Sequence, residues 1–487
     1  MAGLGTLSKM AFRIESDQGM VNATYPADAS EADAEEVLLK SSDQVPFGSE
    51  NVEQDQQYEL DETLLGTPGI INMDRVGLLA GGAADIMGNY DAIDALIACA
   101  MGFEKGAASD SPTYENGTAL TAAAGITAST WDDAATPFVA GDVGKFIRVT
   151  NGTGEGQVRR ISVFNSTSNV TVTPNWDVTP ASTNTAEMAQ EFEHLYELGK
   201  QLQDELWTNE WSSYPTGGVG TANDKILRRG TLGILKQSAI PWIWRSVMVN
   251  SMTISFEAKT GLKVNFDLVP FDYTRASTTN TTGTASDWDY DNASALFTPS
   301  QNERIIFPHL GGNGFLRIAP FADGAMDSND EYGIMSFSVT LNNNLKSDDQ
   351  DSLSTPYRIQ PARGGFREIT GQFVIPRYAN DTFADWSDNE TIMQSHIKFV
   401  GSTIATSARS YEIFLSSLKL HKKSIPTSGP EPLTQTYDFT GLIPASAPTF
   451  IGSGNPTQTI TAPRSELMIR SLNQNPFNMF RDQNKEY

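Results

Sequence analysis

Residues 335–341 alternate without a break: Met335, Phe337, Val339 and Leu341 are apolar, and Ser336, Ser338 and Thr340 between them are polar. A period of two sends successive side chains to opposite faces of a strand, so this stretch reads as a sheet element with one face buried and one wet. Met252–Phe256 and Leu262–Leu268 read as an antiparallel pair turning at Thr260-Gly261, and Ile369–Ile375 reads as a further strand. After Leu341 come Asn342-Asn-Asn-Leu345, an acidic loop at Ser347–Asp351, Arg363-Gly-Gly365, and an aromatic-acidic stretch from Tyr378 to Asp388. A degenerate version of the pattern precedes it, in Thr67-Pro-Gly69, Gly81–Gly88 and the acids Asp91 and Asp94. Two β units with no catalytic constellation point to an architectural protein.

A chain of 487 residues exceeds one typical domain, so two or three compact units are expected. Forty Gly and 24 Pro, with many Ser, Thr and Asn between short alternating runs, favour an all-β protein. No apolar run approaches the roughly 18 residues a membrane-crossing helix needs. The first ten residues lack the basic start, apolar core and cleavage site of a secretion signal, so a soluble product not exported by that route is expected. Cys99 is the only cysteine and lies in Ala92–Met101, where Ile93, Leu96, Ile97, Ala100 and Met101 share one helical face. A packed core thiol is the reading.

Four segments follow from composition. Residues 1–46 form an acidic arm, its Ala27–Glu36 stretch small and charged with little to bury. Residues 47–105 and 187–294 make a first, discontinuous β unit. Residues 106–186, dense in Ala, Thr, Ser and Asn, are an inserted small β domain with strands at Phe146–Thr150, Val158–Val163 and Val170–Thr173 and a turn at Asn151-Gly152. Residues 295–487 make a second β unit, ending in a tail at Asn473–Phe480 that is free to dock elsewhere. Glu187–Leu206 is ambiguous: Phe192, Leu195, Leu198, Leu202 and Leu206 fit helical spacing, but Gly199 interrupts them.

Chemistry has few footholds. His194, His309, His396 and His421 are scattered singly, with no metal-ligand spacing, and neither a phosphate loop nor a G-x-S-x-G elbow is present. Asp287, Asp289 and Asp291 are the best metal candidate, but Asn292 and Thr298 stand where a calcium loop needs Gly and Glu, so no metal, cofactor or catalytic residue is assigned. Carboxylates paired for glycoside hydrolysis have no local signature. The 34 Lys and Arg against 59 Asp and Glu leave a net charge of −25. Duplex DNA carries about one negative charge per 1.7 Å, so such a protein should not grip it; the charge fits either colloidal solubility alone or a surface along which DNA passes without sticking, and composition does not choose between them.

Phe337–Leu345, Tyr357–Ile359 through Ile369–Phe373, and Tyr378–Trp386 resemble the major tail tube proteins of long-tailed, siphovirus-like bacteriophages. So do Arg245–Ser255 and the strand after Gly261, and Glu59–Gly102 more loosely. The resemblance implies a mainly β fold: two tail-tube-type β-sandwich or barrel units with small flanking helices, plus the inserted β domain on the tube exterior. It implies a non-enzymatic virion protein whose rings stack into the conduit for DNA delivery. Such a protein is assembled in the bacterial host cytoplasm and resides in the tail. If the unit is duplicated, three chains make a pseudo-hexameric ring; a homohexamer is the alternative. Implied partners are further copies of the chain, the tape measure, tail terminator and baseplate or tip proteins, and passing DNA that is not specifically bound; no membrane is implied.

By position, the ring-stacking loop falls on Asn342, Asn343, Asn344, Leu345, Lys346, Asp348, Asp349 and Asp351. The lumen-lining residues fall on Ser255, Lys263, Asn265, Ser336, Ser338 and Thr340, with the opposite sheet face as the alternative. A tail fibre or receptor-binding adhesin is the rival structural reading, and a carbohydrate hydrolase the enzymatic one.

Overall fold

The computed structural model describes residues 8–14, 39–40, 43–61, 72–105, 113–198, 229–236, 242–270, 272–275, 288–289, 314–346, 362–378, 381–426, 433–445, 449–451, 459–461, 465–477 and 479. The protein is mainly β, built from antiparallel sheets with two short helices among the described residues. Its spine is one run of eight strands in the order Phe47–Glu50, Asn72–Met87, Lys263–Val269, Trp242–Glu257, Ser336–Asn342, Glu368–Ile375, Gln435–Gly441 and Ala408–Ser424. The alternating segments fall where the sequence places them, and Lys263–Val269 follows Trp242–Glu257 through a turn closed by Thr260 N–H donating to the Glu257 carbonyl at 3.0 Å.

Two of these strands are long enough to leave the run and enter a second layer. The first part of Trp242–Glu257 pairs with Gly230–Leu235, which pairs with Lys9–Ile14. Ser246, at φ 49, marks the bend. The first part of Ala408–Ser424 pairs with Ile392–Thr403, which pairs with Phe315–Pro320. The two corners match bond for bond. Val45 N–H donates to the Met10 carbonyl at 3.0 Å, and Tyr332 N–H to the Leu316 carbonyl at 3.0 Å. Isolated bridges join Ala11 to Gln44 and Arg317 to Glu331. Lys9–Ile14, assigned to the arm from sequence, is thus a strand of the body.

The helix Asp94–Met101 lies in the core with every residue buried, and Gly102 ends it in the left-handed region at φ 87. A helix apolar on all sides is stable only when packed all round, here against Trp242–Glu257, Lys9–Ile14 and Glu191–Leu198. Cys99 sits inside, its Sγ 3.9 Å from the Val247 carbonyl. The second helix, Thr382–Asp388, buries Phe383 against Phe373 and Tyr437.

Thr185–Ala189 and Glu191–Leu198 are strands, where the spacing of Glu187–Leu206 suggested a helix. Both faces of the second are covered, so no polar stripe marks its period. It pairs with Leu467–Asn473, which also lies along Ala408–Ser424. The described residues after Asn473 pack back on the body: Phe477 and Met479 are buried in the main core.

Residues 118–189 close on themselves. Six strands run in the order Thr118–Thr121, Thr185–Ala189, Phe146–Asn151, Val158–Ser166, Asn169–Thr173 and Thr130–Asp132. The bridge from Ala122 to Asp133, with Ala123 N–H on the Asp132 carbonyl at 2.8 Å, joins last strand to first. Trp131, Phe138, Ile147, Val149, Ile161 and Trp176 fill this barrel. Phe146, Val158 and Ala189 turn outward from it into the main core, so barrel and body share packing.

Candidate functional site

Across the eight-strand run one face is apolar and packs on the core, and the other is polar. Register sets the polar residues in rows. One row reads Ser49, Asp85, Asn265, Thr253, Thr340, Thr370, Thr440 and Lys419, one residue per strand. The next reads Met87, Lys263, Ser255, Ser338, Gln372 and Asp438. Side chains bond along the rows: Ser49 Oγ donates to Asp85 at 2.8 Å, Asn265 to Asp85 at 2.5 Å, and Gln372 to Asp438 at 2.7 Å. The bonds from Asn265 and Ser49 outweigh burial and hold the Asp85 carboxyl below its usual range. Ser255, Lys263, Asn265, Ser336, Ser338 and Thr340 therefore share one surface, the face turned away from the core.

Charge on this face is unbalanced. Among its described side chains Asp85, Glu257, Asp267, Glu368 and Asp438 are its acids, against Lys263 and Lys419, and Lys422 takes the register position opposite Asp438. Hydroxyls and amides lie between, so the described residues of this face form no site for tight anion binding.

A two-stranded ribbon extends from one end of the run. Glu53–Asp61 pairs with the first half of Asn72–Met87, from Glu53 opposite Gly81 to Asp61 opposite Asn72. Nine residues of strand project roughly 30 Å. Where the ribbon leaves the sheet, Gly82 takes φ 153, and a Cβ there would lie 2.6 Å from the Asn51 carbonyl oxygen. Tyr58, Leu60 and Met73 are exposed on the ribbon, and Leu60 faces Met73 across it. Isolated ribbons are marginal in water, so this one is built to be covered. Phe366, 87% exposed, with Leu442 and Ile443, stands at the same end of the sheet.

The loop chosen from sequence for stacking divides differently. Asn343 is buried, its amide bonded to the carbonyls of Ala100 at 3.1 Å and Val249 at 3.0 Å. Leu345 is also buried, and Leu345–Lys346 pairs with Ala362–Arg363. Asn342 and Asn344 are half-buried, and Asp348, Asp349 and Asp351 lie outside the described residues. Nothing in the polar, irregular string Glu53–Asp61 marked the ribbon, which sequence reasoning missed.

Two clusters of buried ionisable groups have the residue types of a catalytic site, but both are sealed. His194 Nε2 donates to the Asn475 carbonyl at 2.9 Å, and Nδ1 lies 2.9 Å from Glu104. Burial pushes this imidazole down, yet the Glu104 hydrogen bond and the charges of Glu104 and Asp94 raise it to about 9. Burial likewise raises the Asp94 carboxyl. Glu412 meets Arg470 at 2.7 Å, His396 at 2.9 Å and Lys398 at 3.2 Å. Burial pushes the Glu412 carboxyl up, but those three neighbours hold it well below the usual carboxylate range. The imidazole of this second cluster, His396, is lowered by burial. These side chains have almost no solvent contact, so no substrate reaches them.

Among the described residues no three His, Cys, Asp or Glu side chains gather as a metal ion would require. Of the acidic candidate, Asp287 and Asp291 lie outside the described residues, and Asp289 sits in the short strand Trp288–Asp289. No described helix is long and apolar enough to cross a membrane. The family model described as phage tail tube protein matches residues 5–441. No curated protein matches the chain.

Proposed function

The chain belongs to the phage tail tube protein family, a structural component of the virion tail, and from that premise we propose that its eight-strand run is a segment of tube wall. The polar face lines the lumen, and the apolar face with its helices forms the outer body. Rings of the protein, stacked end on end, form the conduit through which phage DNA leaves. The observation that carries this reading is the polar row from Ser49 to Lys419, unbroken across eight strands on the face away from the core.

Three copies suit that wall. The spine divides into two halves of four strands with the same connectivity, which supports two tube units per chain and six per ring. Twenty-four strands spaced about 4.8 Å apart and tilted about 40° would enclose roughly 48 Å between opposite backbones. Side chains leave roughly 35–40 Å, enough for a duplex, whereas sixteen strands would leave only about 20 Å. The ribbon Glu53–Asp61 with Asn72–Ala80, together with Phe366, Leu442 and Ile443, contacts the next ring. Met335 and Tyr378, exposed at the other end of the strands, lie on the receiving side. The closed barrel 118–189 has no open sheet edge to join a wall, and its place is the tube exterior. Tape measure, terminator and tip proteins then meet the lumen and the two ends of the stack, with assembly in the host cytoplasm.

Negative-stain electron microscopy of the purified protein tests the reading. Stacked rings or tubes with a central channel are expected. Single particles at every concentration, salt and pH tried would overturn it.

A further inference from the structure

The two halves of the eight-strand run are built alike. Trp242–Glu257 shifts register against its outer neighbour between Trp244 and Val247, and against its wall neighbour between Val249 and Ser251. Ala408–Ser424 does the same between Leu415 and Leu418 and between Leu420 and Lys422, at the same spacing. The halves differ after the helix. In the second, Thr382–Asp388 leads almost directly to Ile392–Thr403. In the first, residues 102–229 stand between Asp94–Met101 and Gly230–Leu235, and they include the closed barrel.

The inserted chain crosses to the other half. Glu191–Leu198, on leaving the barrel, packs against the first half's helix and pairs with Leu467–Asn473 of the second half, from Phe192 opposite Asn473 to Glu197 opposite Met468. Its other edge pairs with Gly102–Lys105 and Thr113–Glu115. Glu191 itself reaches the turn Ile404–Ser407 of the second half. One of its carboxylate oxygens accepts the backbone N–H groups of Ala405 at 3.0 Å, Thr406 at 2.5 Å and Ser407 at 2.8 Å. The other accepts the Asn116 amide at 2.9 Å. Successive N–H groups turned to one point form an anion nest, here filled by the chain's own carboxylate. Burial pushes the Glu191 carboxyl up, but the N–H bonds from Ser407 and Thr406 outweigh it and hold the group below its usual range. Asn116 and Glu191 flank the barrel, so both of its tethers meet at this turn. Beside it, Asp94 of the helix accepts from Ser471 at 2.9 Å, and Asp91 meets Arg409 at 3.4 Å.

We propose that this stalk is an angle-setting clamp, with Glu191 as its positioning residue, which holds the two halves of one chain at the fixed curvature a ring requires. This rests on the tube-wall reading above. In the wall the halves meet through one strand pair, Trp242–Glu257 with Ser336–Asn342, and Asn343 beside it. Neighbouring strands tolerate relative twists from about −10° to about −35°, so one pair alone leaves the angle loosely set. A second line of contact in the outer layer, away from that pair, removes the freedom. A closed ring needs the same rotation at every step, and a rotation that varies gives open arcs. The stalk occurs once per chain, so it sets the step inside the chain before copies meet.

Spin labels at Ser49→Cys and Thr370→Cys, both exposed and one in each half, read the angle in unassembled full-length protein. Cys99 is buried, and a chain with Cys99 alone should take no label. Glu191→Ala should about double the width of the distance distribution, the freedom that one strand pair allows. Hydrogen exchange at Ala405, Thr406 and Ser407 should quicken about tenfold to a hundredfold as the charged acceptor is lost. Under assembly conditions this variant should give open arcs and rings of mixed size in place of uniform tubes. Glu191→Gln keeps an acceptor oxygen without the charge and should fall between parent and Glu191→Ala. Together with Asn116→Ala it serves if Glu191→Ala does not fold. Fast exchange at the turn with a distribution as narrow as the parent's would overturn the inference and leave the tube reading intact. Uniform tubes from every variant would overturn it as well. Failure of unsubstituted protein to form rings or tubes would remove the tube reading, and the clamp's purpose with it.

Discussion

The hydroxyl oxygens of Thr253 and Thr340 lie 2.9 Å apart across the strand pair at the middle of the eight-strand run. Opposed threonines on a wet face contribute little individually, so replacing both by valine should change stability by no more than about 0.5 kcal/mol. Replacing both by aspartate sets like charges directly opposite each other and should cost about 1 kcal/mol or more, less at high salt. Urea unfolding of the unassembled protein at two ionic strengths reads both. An aspartate pair as stable as the valine pair would mean the joint is not formed as described.

Gly371 is a glycine inside a wall strand with a packing reason. A Cβ there would lie 2.2 Å from Phe439 Cζ and 2.4 Å from the Ser338 carbonyl oxygen. Gly371→Ala should therefore cost about 1–3 kcal/mol through overpacking. Phe439→Leu in the same chain should return part of that loss by vacating the ring's space. Thermal unfolding of the three variants decides it, and a Gly371→Ala protein as stable as the parent would rule the contact out.

His194 ties the end of the chain to its core and gives stability a pH dependence. Its folded value is raised to about 9 against an ordinary 6.5, so the folded state holds the proton more tightly than the unfolded chain. Stability from this group is fully present below pH 6.5 and is lost as pH rises through about 9. The amount is on the order of 3 kcal/mol. His194→Gln should flatten the fall in unfolding free energy between about pH 7 and pH 10. Hydrogen exchange at Phe477 and Met479 should quicken over the same range, because Met479 N–H is bonded to Glu104 at 2.7 Å. An unchanged alkaline slope in the variant would exclude His194 as its source.

Much of the eight-strand run was legible because half-buried strands advertise themselves. Ser336–Asn342 and Lys263–Val269 alternate in burial as they alternate in polarity, and the residues chosen for the lumen do share a face. Glu191–Leu198 was illegible for the converse reason: Phe192 and Tyr196 pack in the main core, while Leu195 and Glu193 are covered on the other side. The ribbon was hidden because both of its faces meet water in a single chain, leaving Glu53–Asp61 without a hydrophobic period. Asn343 looked like a loop residue, and only the fold shows that its amide holds the end of the buried helix. The docking of Phe477 and Met479 depends on partners some 375 residues distant, such as Glu104, which no local pattern reveals.

Glu412 is the common partner of three cationic or protonatable groups, and removing its charge should be severe. Glu412→Gln leaves the buried Arg470 and the half-buried Lys398 near one another without their shared counterion, at a cost of about 3–5 kcal/mol. Replacing Glu412, Arg470 and Lys398 together by apolar residues of similar size should cost much less, since buried pairs barely repay their desolvation. Chemical denaturation of single and triple variants compares them. Equal losses in both would mean that the cluster stabilises through its packing alone.

Charge on the polar face should govern passage of DNA without governing assembly. Glu257 and Glu368 are exposed on that face, at opposite ends of the strands, and neither supports the core. With both replaced by lysine, a lumen lined by this face would exchange repulsion for attraction many times along the tube. Phosphate neutralisation by lysine releases counterions, so the resulting drag should be steep in salt. Tubes of normal appearance are expected from the Glu257→Lys/Glu368→Lys chain, with DNA ejection slowed about tenfold or more near about 50 mM salt and largely restored near about 300 mM. Glutamine at both positions should fall between parent and lysine variant, because it removes repulsion without adding attraction. Ejection followed by fluorescence of released DNA measures all three. Equal rates at low salt would show that the acids of this face do not meet the passing duplex, and would move the lumen to the opposite side of the sheet.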